Sequence, residues 1–229
     1  MKNQGYNMEY KTVLFEFNDG IGHIIMNRPP SNTMTVEFFM ELGLLVEEIK
    51  MMTELKALVI SGQGRHFSAG AELDELISLV SDENSIKNND LSDFLSKNLE
   101  TFMFFEQANF PVISAIKGVC LGSALELALF THYRFCGEDA VLGLPETTFN
   151  LLPGIGGITR IAKLAGKSKA LELVLRGNTF SAEEALSLNI VDHILPKKKV
   201  IQAAFDFAVS IMHDYRKGKE KLHLQKMHI

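Results

Sequence analysis

Residues 117–129 read KGVCLGSALELAL. The stretch before them, Pro111-Val112-Ile113-Ser114-Ala115-Ile116, has the character of a strand with its proline at the edge. The chain then passes through Gly118, Gly122 and small residues into a helical pattern over about 122–131. The start of such a helix offers N–H groups without intrahelical acceptors, and the positive end of its dipole favours a developing negative charge. Glu126 lies one turn in, flanked by Leu125, Leu127 and Leu129. A carboxylate in so apolar a stretch is costly if buried and unpaired. The plainer alternative is a partly exposed glutamate on an amphipathic helix, and these residues alone leave both readings open.

Upstream, ALVI (57–60) is a short apolar run bounded by Ser61-Gly62-Gln63-Gly64, which suits a buried strand of a parallel sheet. GRHFSAGAEL (64–73) follows, with a helix expected to begin near Ala71. Its small residues permit close approach of a ligand to the backbone; an ordinary strand–loop–helix connection is the alternative. Earlier still, 10–17 and 21–26 read as a hairpin around Asn18-Asp19-Gly20. Residues 35–52 read as a helix with Thr35 as N-cap. Helices are also expected over 71–80 and 91–108, with the polar stretch 81–90 (SDENSIKNND) as a mobile loop between them.

Downstream, strand-like pieces lie at 133–136, 140–143 and 190–194, and helical patterns at 156–165, 168–176 and 181–188. The alternation argues for an α/β chain with parallel pairing. A second carboxylate, Glu146, follows Pro145 in another apolar setting. The run LPGIGG (152–157) could open a helix that packs closely on a neighbour; it lacks the strand and downstream acid of a dinucleotide fingerprint. No Walker sequence, HExxH or metal-ligand spacing is present, and the seven histidines are scattered.

At 229 residues one domain is expected, with no repeat, low-complexity tract or linker to divide it. The net charge of −5 does not invite nucleic acid or an anionic membrane surface. Two cysteines, Cys120 and Cys136, suggest a reducing compartment. The N-terminus lacks a signal-peptide core and no apolar run is long enough to span a bilayer, so a cytoplasmic location is the default expectation. The basic stretch 216–226 reads as a solvated helix face.

Four segments in order, FSAGAEL, KGVCLGSALELAL, LGLPETTFNLLPGIGGITRI and SAEEALSLNIVDHI, resemble the enoyl-CoA hydratase/isomerase (crotonase) family from about residue 12 to 196. The resemblance implies an α/β fold, a crotonase-like spiral of ββα units over 1–196, with a shortened C-terminal helical part at 197–229. Many relatives continue with further helices that cover the acyl pocket and help form the trimer; here 33 residues follow Pro196. The resemblance also implies an acyl-CoA or acyl-carrier thioester as substrate, no cofactor, no metal, and a homotrimer or dimer of trimers. By position, Ala71 and Ser123 match the family's oxyanion donors, and Glu126 and Glu146 its two acids. Ser68, Ala69, Gly70, Gly122 and Pro145 fall at substrate-binding positions. Hydratases of the family use both glutamates, whereas simple isomerases often keep only the later one. The expected activity is therefore addition of water to a 2-enoyl thioester, with double-bond isomerisation or non-catalytic binding as alternatives. Ser123 and Ala124 depart from the family by standing where it has glycines. They keep the N–H and add a Cβ.

Overall fold

The computed structural model describes the backbone of residues 6–227, and side chains between 7 and 214 apart from 79–80, 83, 85–86 and 213. The chain opens with three antiparallel strands, β1 (Tyr6–Glu9), β2 (Val13–Asn18) and β3 (Ile21–Met26). The β2–β3 hairpin closes at the pair Asn18↔Ile21. Its central residues Asp19 and Gly20 have φ of +50° and +85°, the backbone that a two-residue type I′ turn needs. The expected first run began at residue 10; β1 lies before it.

Helix α1 (Val36–Lys50) starts at Thr35, whose Oγ1 accepts from Phe38 N at 3.2 Å. It buries Phe38, Leu42, Leu45 and Ile49, a stripe at helical spacing. Strand β4 (Ala57–Gly62) is buried throughout and runs parallel to β3, as its unbroken apolar character requires. Helices α2 (Leu73–Ser81), α3 (Glu83–Asn88) and α4 (Asp90–Gln107) follow. Two expectations are corrected here. Residues 81–90 hold a short helix, α3, because the stretch is polar but contains no Gly or Pro to break it. Helix α2 begins at Leu73, not near Ala71, because a parallel bridge between Met34 and Ala71 occupies the residues before it.

The second half supplies β5 (Val112–Ile116), β6 (Val119–Leu121), α5 (Ser123–Leu129), β7 (Tyr133–Gly137) and β8 (Val141–Gly143). A 3-10 turn (Pro145–Phe149), α6 (Gly157–Ala165), α7 (Lys167–Arg176), β9 (Thr179–Ser181) and α8 (Ala182–Ser187) come next. Strand β10 (His193–Leu195) and helix α9 (Val200–Met227) end the chain. The strand expected at 190–194 thus starts later, with Ile190 and Val191 buried ahead of it.

Among the described residues the strands form two sheets. The larger has the order β1-β2-β3-β4-β5-β7-β10 and is parallel from β3 onward. The smaller has the order β6-β8-β9, with β6 and β8 parallel. One face of the large sheet packs against α1, α4 and α5 through Phe15, Phe38, Phe102, Phe105 and Leu125. The other face, with Ile21, Val59 and Ile113, is covered by Val200, Ala204 and Ala208 of α9. These recur every four residues, and the alanines let the helix approach closely. The side chains of the basic stretch 216–226, expected to form a solvated helix face, lie outside the described residues. No helix among the described residues is long and apolar enough to cross a membrane.

Candidate active site

The small sheet organises the site. Strands β6 and β8 pair in parallel register, Leu121 opposite Gly143, and Gly122 N donates to Gly143 O at 2.9 Å. One step past Gly122, β6 becomes helix α5, which carries Glu126; two residues past Gly143, β8 enters the 3-10 turn, which carries Glu146 behind Pro145. Two carboxyl groups are thereby delivered from neighbouring strand ends.

Glu126 is 1% exposed, which settles the choice left open by the sequence in favour of a buried acid. Every residue of α5 is buried. Oε1 of Glu126 accepts from Ile155 N at 2.9 Å and from Gly157 N at 2.8 Å. A Cβ on Gly157 would lie 2.8 Å from Cγ of Glu126, so only glycine lets the start of α6 come this close. The LPGIGG run therefore has a second part beyond opening a helix: its main chain holds an acid. Sequence reasoning assigned no such role to Ile155 and Gly157, although the glycine run was the available signal.

Burial pushes Glu126 up to about 7, against the pull of the Gly157 N–H, and the charge of Glu146 pushes the same way. Glu146 is also pushed up to about 7 by burial. Its Oε2 is buried without a hydrogen-bond partner among the described residues, and its Oε1 lies beside Gly122.

The loop before α2 runs along β6. Ser68 N donates to Val119 O at 3.0 Å and Leu121 N to Ser68 O at 3.2 Å. Ser68 is fully buried, and its hydroxyl is used internally, donating to Asn32 O at 2.7 Å and accepting from Gly70 N at 3.0 Å. Ala69 N donates to Ser31 O. Gly70 has φ +91°, and a Cβ there would fall 2.5 Å from Leu121 O and 3.5 Å from Ser123 N. This close approach brings Ala71 beside the start of α5. The parallel bridge to Met34 uses Gly70 O and Glu72 N, so the Ala71 N–H is not consumed by it. Ser123 N is the first N–H of α5, and the first helical bond, Glu126 N to Gly122 O, begins beyond it. Among the described residues neither Ala71 N nor Ser123 N has an acceptor. No histidine among them bonds Ser123, so its hydroxyl has no imidazole base.

Among the described residues no group of three or more His, Cys, Asp or Glu side chains is placed to hold a metal ion. A groove of about 720 Å³ between the C-terminal ends of α1 and α4 and helix α9 contains neither glutamate; here volume and chemistry lie apart, and the chemistry marks the site.

The enoyl-CoA hydratase/isomerase family model matches residues 16–227. The chain belongs to that family. A probable enoyl-CoA hydratase of Bacillus subtilis (strain 168) is 34% identical over 189 residues, covering 80% of this chain and 71% of that protein. The fatty acid oxidation complex subunit alpha of Shewanella loihica is 34% identical over 217 residues, covering 93% of this chain. The chain spans 30% of that subunit's length. A solved enoyl-CoA hydratase structure from Geobacillus kaustophilus HTA426 superposes with a TM-score of 0.83 at 26% identity, covering 91% of this chain and 77% of that one. The expected crotonase-like α/β fold is thus the fold of the chain, and the family match continues through α9.

Proposed function

We propose that this protein adds water to a 2-enoyl-CoA thioester, or removes it in reverse. The observation that supports this most is the pair of glutamates, Glu126 buried and Glu146 half-buried, delivered from adjacent parallel strands and each pushed up to about 7. At neutral pH such a pair exists largely as one acid and one carboxylate, and its titration belongs to both. The carboxylate takes a proton from a water held between them as the water oxygen bonds the β-carbon. The acid gives its proton to the α-carbon, and proton exchange through solvent resets the pair. Charge collects meanwhile on the thioester oxygen, where the N–H groups of Ala71 and Ser123 would meet it. One such donor is worth about 3 kcal/mol. Gly70, Gly122 and Pro145 keep the donors and Glu146 in place around it.

A panel of 2-enoyl thioesters on CoA and on a carrier protein, followed by loss of ultraviolet absorbance and by product analysis, tests this reading. Formation of 3-hydroxyacyl product is expected. Binding of the thioesters with no product from any of them would overturn it and favour a non-catalytic relative.

A second reading is double-bond isomerisation with Glu146 as base. It is supported by the unpartnered Oε2 of Glu146, which contrasts with the two N–H groups holding Glu126. A 3-enoyl product or substrate would identify it. The family resemblance further suggests a homotrimer or dimer of trimers. Phe149, Leu152, Leu171 and Leu175 are exposed apolar side chains on the 3-10 turn, its following loop and α7, a surface that suits self-association. Light scattering reporting a stable monomer would refute it.

A further inference from the structure

Arg160 lies one turn into α6, just beyond the N–H groups that hold Glu126. Its side chain is 11% exposed. Nη2 meets Oε2 of Glu106, on α4, at 2.5 Å. Cζ lies 3.2 Å from the centre of the Phe130 ring, and Phe130 caps α5 four residues after Glu126. Nη1 reaches Gly156 O at 3.4 Å, and a Cβ on Gly156 would fall 2.8 Å from the same nitrogen. The guanidinium is therefore in contact with the main chain of the 155–157 turn. Nε is buried with no partner among the described residues. A buried cation with one nitrogen unsatisfied is a poor device for stability alone, since an apolar side chain would fill the space without desolvation.

We propose that Arg160 is a positioning residue for Glu126: wedged between Phe130 and Glu106, it fixes the turn that presents two N–H groups to Glu126 Oε1 and places a positive charge behind that carboxyl. This rests on the reading of Glu126 as one of the acid–base pair. The charged groups facing Glu126 are Glu146, from the 3-10 turn, and Arg160, from α6; Glu106, from α4, faces Arg160 in turn. Glu146 raises the proton affinity of Glu126 and Arg160 lowers it. Burial is the largest influence on Glu126, and the Arg160 charge adds to the pull of the Gly157 and Ile155 N–H groups against it.

The test is a carboxyl carbon-13 NMR titration, with the Glu126 signal assigned by its loss in Glu126→Gln. In Arg160→Met the Glu126 midpoint is expected to rise by about one unit or more. In Arg160→Lys, which restores the charge without the planar fork, the rise should be smaller. With a turned-over enoyl thioester, Arg160→Met should lower kcat by about tenfold to a hundredfold while KM stays nearly constant. The pH profile should move with the midpoint. If Arg160→Met does not fold, the double variant Arg160→Met/Glu106→Gln leaves no unpaired acid and gives the same readout. A folded variant lacking the cation but with an unmoved Glu126 midpoint overturns the proposal. If the wild-type protein turns over no thioester, the hydratase reading fails, yet the titration still decides what Arg160 does.

Discussion

A Cβ added to Gly122 would lie 3.0 Å from Oε1 of Glu146. Gly122 also has φ +54°, a region that side chains rarely adopt. Gly122→Ala therefore carries two faults, backbone strain of about 1 kcal/mol or more and displacement of an acid. We expect thermal stability to fall by several degrees and kcat by about a hundredfold. Steady-state kinetics beside a melting curve checks both; wild-type kcat in the variant would show that Glu146 tolerates the shift.

If Glu126 is one of the acid–base pair, as proposed, it sets function against stability. Its pKa is about 7 in the fold against an ordinary 4.5, so the fold prefers the neutral acid. Stability is full below pH 4.5, falls as pH rises from there, and the loss is complete above about 7. It amounts to about 3 kcal/mol as an upper figure. Glu126→Gln keeps an oxygen for Ile155 N and Gly157 N and carries no charge. It should be inactive, more stable than wild type at pH 8, and no more stable near pH 4.5. Urea unfolding at the two pH values measures this, and equal stabilities at pH 8 would contradict it.

In the proposed mechanism Ser123 contributes its main-chain N–H and not its hydroxyl. Ser123→Gly and Ser123→Ala should both keep activity, and the glycine variant should accept bulkier acyl groups. Ser123→Pro removes the N–H at the first position of α5, where proline is otherwise well accepted. It should remain folded and lose about a hundredfold or more in rate. Loss of all activity in both Gly and Ala variants, with thioester binding intact, would make the hydroxyl essential instead.

His23 should report on the opposite face of the sheet. Its Nε2 lies 2.8 Å from Ser61 Oγ, and its ring stands edge-on to Phe205 of α9 at 5.0 Å. Burial, aided by the charge of Lys117, pushes it down to about 4 from an ordinary 6.5. The fold thus prefers the neutral ring. Its contribution is full above pH 6.5 and is lost as pH falls through about 4, up to about 3 kcal/mol. His23→Gln should flatten the stability profile between pH 6.5 and 4. An unchanged slope would assign that dependence to other groups.

Much of this was legible in the sequence. The Asn18-Asp19-Gly20 turn, the Thr35 cap and the buried strand at 57–60, which the structure extends to Gly62, follow from local rules, because each is set by residues adjacent in the chain. Family resemblance located Glu126 and Glu146. The residues alone could not decide whether Glu126 was buried, since the partners that hold it, Ile155 and Gly157, lie about thirty positions away. Both partners act through main-chain N–H groups, which any residue but proline carries and no side-chain pattern reveals. Helix α3 was missed because polarity marks exposure and not backbone shape. Nothing in the sequence marks Arg160, because its neighbours Phe130 and Glu106 are brought to it only by the fold.

The paired strands β6 and β8 act as a ruler. Neighbouring strands sit a little under about 5 Å apart, a spacing fixed by main-chain geometry. The interval between the two acids is inherited from that spacing, through short and buried connections. Side chains lining the site away from these connections can then be exchanged without resetting the interval. A redesign of this chain toward new thioesters should therefore leave 119–126, 141–146 and the 155–157 turn untouched.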